Sequence, residues 1–152
     1  EFDIKLFKLK YVKNFIFGKF SINNSFLIQD VDQNDNILNI PDFVYRNSFY
    51  ISEKIFKNVL EIQSGFNFKI FSKFFINEYN PVISTFHIQE KRKIGGFPIV
   101  DFFLNAKIRQ TRLFFIFEHI NSSFSENNFF TTPSIPYRDS NFRFGLNWNL
   151  FN

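Results

Sequence analysis

Asn141-Phe142-Arg143-Phe144-Gly145-Leu146-Asn147-Trp148-Asn149-Leu150-Phe151 alternates without a break. Phe142, Phe144, Leu146, Trp148 and Leu150 fall on one side; Asn141, Arg143, Gly145, Asn147 and Asn149 fall on the other. Period two means an extended strand whose faces meet different surroundings. One side is large and aromatic, and the other carries no apolar side chain. The signature recurs upstream, with short turns alternating with long polar segments. Together these predict an all-β, antiparallel, up-and-down transmembrane β-barrel, apolar toward lipid and polar toward a wet lumen.

Seven candidate strands follow from the alternation. From the C-terminal side they are about 140–151, Arg112–Asn121, Ile99–Gln110, Val59–Phe75, Phe43–Lys54, Asn14–Gln29 and Phe2–Tyr11. In the third, Val100, Phe102, Leu104, Ala106 and Ile108 oppose Asp101, Asn105, Lys107 and Arg109. The first two strands of the chain show phase slips, which predict bulges. Tight turns are expected at Val12-Lys13-Asn14, Phe56-Lys57-Asn58 and Arg109-Gln110-Thr111-Arg112. Long polar loops are expected at Gln29–Asp42, Ile76–Pro98 and Ser122–Asp139. Short and long connections strictly alternate, as periplasmic turns and extracellular loops do in outer-membrane barrels. No apolar stripe at helical spacing outlasts one turn, and Asn, Phe and Ile are weak helix formers.

Composition agrees with a barrel. Of 152 residues 27 are Phe, with no Cys and no Met. The missing Met predicts a fragment, with residues 1–152 forming the C-terminal part of one barrel domain. About seven strands cannot close a barrel, because single-chain bacterial barrels use even numbers from about eight upward. Mean hydropathy is −0.14, an average in which lumen residues offset lipid-facing ones. No run approaches the ~20 apolar residues of a spanning helix. Net charge is +4 and spread along the chain. The cluster Glu90-Lys91-Arg92-Lys93 reads as a solvated loop, and no basic face suits nucleic acid. Without Cys there are no disulfides and no thiolate metal sites.

Catalytic chemistry is missing. His87 and His119 stand alone, and no metalloprotease, phosphate-loop, dinucleotide or nucleophile-elbow motif occurs. Gly95-Gly96-Phe97-Pro98 reads as a turn. The expectation is a non-enzyme with no catalytic residue, no cofactor and no metal. Candidate pore-lining residues are Glu61, Lys69, Lys73, Asp101, Lys107, Arg109, Arg112, Glu118 and Arg143. Basic groups outnumber acids among them, which predicts a mild anion preference.

The terminal pattern Arg143-x-Gly145-x-x-Trp148-x-Leu150 resembles the signal read by the outer-membrane barrel assembly machinery. The resemblance implies that Gly145, Trp148 and Leu150 form that signal. The chain ends Phe151-Asn152 rather than on the aromatic itself. Further upstream, Tyr79-Asn80-Pro81-Val82, Phe86-His87-Ile88-Gln89 and Gly96-Phe97-Pro98-Ile99-Val100-Asp101-Phe102-Phe103 follow in order. Lys107-Ile108-Arg109-Gln110-Thr111-Arg112-Leu113-Phe114 and Ile135-Pro136-Tyr137-Arg138-Asp139 come next. From about 58 to 152 the chain resembles the putative porin family of Bacteroidetes. That resemblance implies a bacterial outer-membrane barrel that passes small solutes or ions. Its expected partners are outer-membrane lipid, the assembly machinery and small solutes, with no nucleic acid and with an oligomer allowed. Two other readings stand beside it: the C-terminal strands of another outer-membrane transporter, and a soluble β-sandwich binding module.

Overall fold

The computed structural model describes residues 3–124 and 130–150. Four long strands open the chain: β1 (Ile4–Phe17), β2 (Phe20–Gln33), β3 (Phe43–Ile55) and β4 (Leu60–Phe71). Short strands follow: β5 (Phe74–Phe75), β6 (Glu78–Asn80), β7 (Thr85–His87) and β8 (Lys93–Ile94). Then come β9 (Ile99–Ile108), β10 (Thr111–Glu118), a single 3-10 turn at Ser122–Phe124, β11 (Phe130–Thr132), β12 (Ile135–Pro136) and β13 (Asn141–Trp148).

The long strands form one antiparallel seven-stranded sheet in the order β1-β2-β3-β4-β9-β10-β13. Every neighbour in the sheet is the next long strand of the chain, so the topology is up-and-down. The sheet is open, with β1 and β13 at its edges, as a partial barrel would be. Among the described residues no second sheet packs face to face against it, which removes the sandwich arrangement.

Alternation holds because the two faces differ. Gly65 is buried while Phe66 beside it is 45% exposed. Ser21 is buried while Phe20 is 46% exposed. A curved single sheet crowds side chains on its concave side and splays them on its convex side. Here the polar face is the crowded one, and the aromatic face looks outward.

The N-terminal hairpin corrects the sequence reading. No turn forms at Val12-Lys13-Asn14. The β1–β2 ladder runs unbroken from Ile4 opposite Gln33 to Phe17 opposite Phe20, with no bulge. The turn is Gly18-Lys19, where Gly18 takes φ +60° without a side-chain penalty. Lys13 broke the expected alternation because a cation stands on the aromatic face. The other two tight turns form where expected, with Phe56, Lys57, Asn58 and Arg109 all at positive φ. All three short turns lie at one end of the sheet. The long connections lie at the other.

Those long connections are folded against one another. Gln89 is 7% exposed. Its amide nitrogen donates to the carbonyls of Ile76 (2.7 Å) and Arg92 (2.9 Å). Its oxygen accepts from the backbone N–H groups of Lys91 and Arg92, each at 2.9 Å. One side chain thus closes the 76–98 loop. Gly95 must be glycine, because a Cβ there would stand 2.6 Å from the Ser72 carbonyl oxygen and 2.7 Å from the Phe71 ring. Arg92 stacks its guanidinium 3.6 Å from the Phe130 ring centroid and donates to the Pro133 carbonyl. Asn39 donates to Asn77 at 3.1 Å and Asn36 to Glu90 at 2.8 Å. The 34–42, 76–98 and 130–139 segments therefore meet at the long-loop end.

Candidate pore face

Antiparallel partners share a face, so the ladders sort every strand residue. Lys54, Glu61, Lys107, Arg112 and Asn147 form one row across β3, β4, β9, β10 and β13 near the short turns. Arg46 and Lys69 pair near the long loops. Asp101, Glu118 and Arg143 share that concave face, and Arg143 Nε lies 3.3 Å from a Glu118 carboxylate oxygen. Lys8 and Lys10 join it on β1.

Seven of the expected pore residues therefore stand on one strand face: Glu61, Lys69, Asp101, Lys107, Arg112, Glu118 and Arg143. Two stand elsewhere. Arg109 occupies the β9–β10 turn at φ 52°, beyond the wall. Lys73 lies past the end of β4, exposed, with its stem against Gly96. Sequence reasoning left Lys8, Lys10, Arg46 and Lys54 out of the pore set. For Arg46 and Lys54 the alternation of β3 already carried the signal. For Lys8 and Lys10 the misplaced first turn obscured it.

Between the charged ends lies a neutral belt. Asn105 Nδ2 donates to Gln63 Oε1, and Gln63 Nε2 donates to Ser52 Oγ, each at 3.3 Å. Ser48 donates to Asn67 at 2.7 Å, and Asn23 reaches the Tyr50 hydroxyl at 3.4 Å. All of these but Ser52 line a concavity of about 340 Å³ together with Phe103 and Ile116. Tyr50 and Phe103 approach to 6.2 Å between ring centroids across Gly65, which pairs with both. A Cβ at Gly65 would lie 2.1 Å from the Phe49 carbonyl oxygen, so the position admits only glycine.

A second cluster caps this wall at the long-loop end. His119 is 2% exposed. Its backbone N–H donates to Asp101 at 2.8 Å, and its Nδ1 lies 2.8 Å from the Arg138 carbonyl. Tyr137 meets the imidazole edge-on at 5.1 Å. Burial raises the Tyr137 phenol above its ordinary pKa, and the charges of Asp101 and Glu118 add to the shift while Arg138 opposes it. The imidazole is a packed loop anchor. Among the described residues no group of three or more His, Cys, Asp or Glu side chains could hold a metal.

Neither His119 nor the wall presents a nucleophile oriented by a base. The concave face presents hydrogen-bonding groups and charge. No curated protein and no solved structure matches the chain. A family model described as putative porin matches residues 2–152, nearly the whole sequence. On that match, the chain belongs to the putative porin family.

Proposed function

We propose that this chain forms part of the wall of a bacterial outer-membrane pore that passes small solutes passively, without catalysis. One observation carries the reading. The concave face gathers Lys8, Lys10, Arg46, Lys54, Lys69, Lys107, Arg112 and Arg143 against three acids, Glu61, Asp101 and Glu118. A narrow passage with low-dielectric walls focuses such a field on passing ions. The pore therefore prefers small anions. The neutral amide belt between its charged ends gives no tight site for any one of them. Family membership supports the outer-membrane location, and the aromatic convex face supports contact with lipid. The strand β13 with the residues just after it, through Gly145, Trp148 and, past the strand's end, Leu150, serves as the element that the barrel assembly machinery reads.

The test is the reversal potential of the complete protein in a planar bilayer under a salt gradient. Chloride should permeate more readily than potassium. Cation selectivity that persists after acids elsewhere in the barrel are neutralised would overturn the anion preference. Failure to conduct at all would overturn the pore.

A further inference from the structure

The convex face is not apolar throughout. The ladders set Lys13, Asn24 and Asn47 side by side on β1, β2 and β3, on the same side as Phe15, Ile22 and Phe49. Tyr45 joins them, donating its hydroxyl proton to Asn24 Oδ1 at 2.9 Å. Asn47 Nδ2 donates to the same oxygen at 2.8 Å. Asn24 Nδ2 reaches the Lys13 carbonyl at 3.5 Å.

The height of this row matters. On the β1–β2 hairpin, the outward pairs Phe17–Phe20 and Phe15–Ile22 separate it from the Gly18-Lys19 turn. The outward pairs Tyr11–Phe26 and Leu9–Ile28 separate it from Phe7–Asp30, where the first acid appears. The polar row therefore crosses the middle of the apolar band. At the opposite side of the sheet, the corresponding band is Phe102, Phe117 and Phe142, then Leu104, Phe115 and Phe144, with no polar group.

Acyl chains offer neither donors nor acceptors. A lysine stem can snorkel toward an interface, but the short amides of Asn24 and Asn47 cannot. Such groups within a membrane pair with one another, with backbone carbonyls or with a partner, rather than with lipid. The patch is complementary to itself. The Asn24 oxygen is already taken by Tyr45 and Asn47, which leaves the Lys13 ammonium, 5.8 Å from the Phe15 ring centroid, as an open donor and the Asn47 oxygen as an open acceptor. The ring pairs Phe20–Phe49 and Phe26–Phe43 flank it with packing surface.

We propose that this face of β1, β2 and β3 is where a second copy of the protein packs, about a two-fold axis near Asn24. The inference rests on the barrel reading above. An isologous contact brings the same patch from both copies together. Lys13 stands at one border of the patch and Asn47 at the other. The two-fold therefore puts the two Lys13 ammonium groups at opposite ends of the interface, each on the side of the other copy's Asn47. Like charges separate, and each cation gains an amide acceptor.

The experiment uses the complete protein, with any cysteine outside this chain replaced by serine, in lipid bilayers. Asn24→Cys should form a disulfide-linked dimer on mild oxidation, and Phe144→Cys should not. Replacing Lys13, Asn24 and Asn47 together with leucine should leave the barrel folded and raise the dimer dissociation constant at least tenfold. A wild-type protein monomeric at every concentration overturns the proposal. So does a dimer indifferent to the triple replacement, cross-linking at residue 144 as efficient as at 24, or a three-copy assembly lacking the 24–24 link. A fluorophore on Phe144→Cys, probed with brominated lipid, separates the two readings. Quenching without a dimer overturns the interface alone. No quenching overturns the barrel reading beneath it.

Discussion

The Phe114 ring lies over Gly145, its partner across the β10–β13 ladder, so closely that a Cβ at 145 would stand 2.5 Å from Cζ of the ring. The glycine is the space the ring occupies. An aromatic laid across a cross-strand glycine restores packing that the glycine lacks and pins the register of the pair. The second inward glycine, Gly65, is crowded by the Phe49 carbonyl rather than by a ring tip. That difference sets the first prediction. Gly145→Ala displaces a rotatable ring and should cost about 1 kcal/mol, the low end for overpacking. Gly65→Ala must move backbone and should cost about 3 kcal/mol or more. Urea midpoints of the refolded full-length barrel, read by heat-modifiable gel mobility, check the order. Equal midpoints would contradict it.

Facing on β13 gives the second. Phe144 is 84% exposed on the convex side, while Asn147 lies in the concave row with Arg112. A cation on a lipid face costs about 2–4 kcal/mol at the bilayer midplane. Phe144→Arg should therefore impair membrane insertion, and Asn147→Arg should assemble normally. The amount of folded barrel recovered from outer membranes measures both. Equal defects would mean that the facing is wrong.

The five strands from Phe43 onward were legible because apolar residues dominate their outward faces, with Asn47, Glu53 and Ser64 as isolated interruptions, so period two survives. Phe102, Phe117 and Phe142 meet in one row as the pattern implies. The first hairpin was not legible, and the reason is physical. Lys13 and Asn24 put polar groups on the aromatic face, which makes one continuous ladder look like two strands and a turn. Gly18, the residue able to take a positive φ, was the better turn signal. The concave face was half legible. Its charges follow from alternation, but the inward Tyr50 and Phe103 fill space around Gly65, and only the register of three strands reveals that space. The amide chain from Ser52 to Asn105 is equally a property of register.

Gln89 supports a third prediction. Its buried amide holds the 76–98 loop by four hydrogen bonds to backbone. Gln89→Ala removes all of them and leaves the Ile76 and Arg92 carbonyls and the Lys91 and Arg92 N–H groups to water, a loss of about 0.5–1.5 kcal/mol for each hydrogen bond. The strands do not depend on it. Limited proteolysis should therefore cut the loop at least tenfold faster in the variant, while the amount of folded barrel stays unchanged. A parallel loss of barrel would mean that the loop is part of the folding core.

Tyr137 carries a pH dependence. Burial, with Asp101 and Glu118, raises its pKa above the ordinary 10.0. The folded protein therefore holds the phenolic proton more tightly than the unfolded chain does. This contribution to stability is fully present below the unfolded pKa and is lost as pH rises through the folded one. Ultraviolet titration of the phenols should show a step above the ordinary tyrosine range that Tyr137→Phe removes. Asp101→Asn should move that step down. A Tyr137 step at or below the ordinary value would contradict the packing against His119.

The ion pair between Arg143 and Glu118 separates stability from selectivity. Its members are 52% and 27% exposed and 3.3 Å apart. An exposed pair of this kind contributes only about 0.2–1 kcal/mol, because water and salt screen it. Glu118→Gln should therefore leave the barrel's unfolding midpoint nearly unchanged. Its effect on the passage is larger in kind. Removing the carboxylate frees Arg143 of its partner and deletes one of three acids on a face that carries eight basic groups. The chloride-to-potassium permeability ratio of the complete protein should rise, and the rise should shrink as salt screens the field. Arg143→Gln should act in the opposite direction. Reversal potentials for the two variants at low and high salt measure both effects. A shift of the same sign in both variants would show that this pair does not face the conducting path.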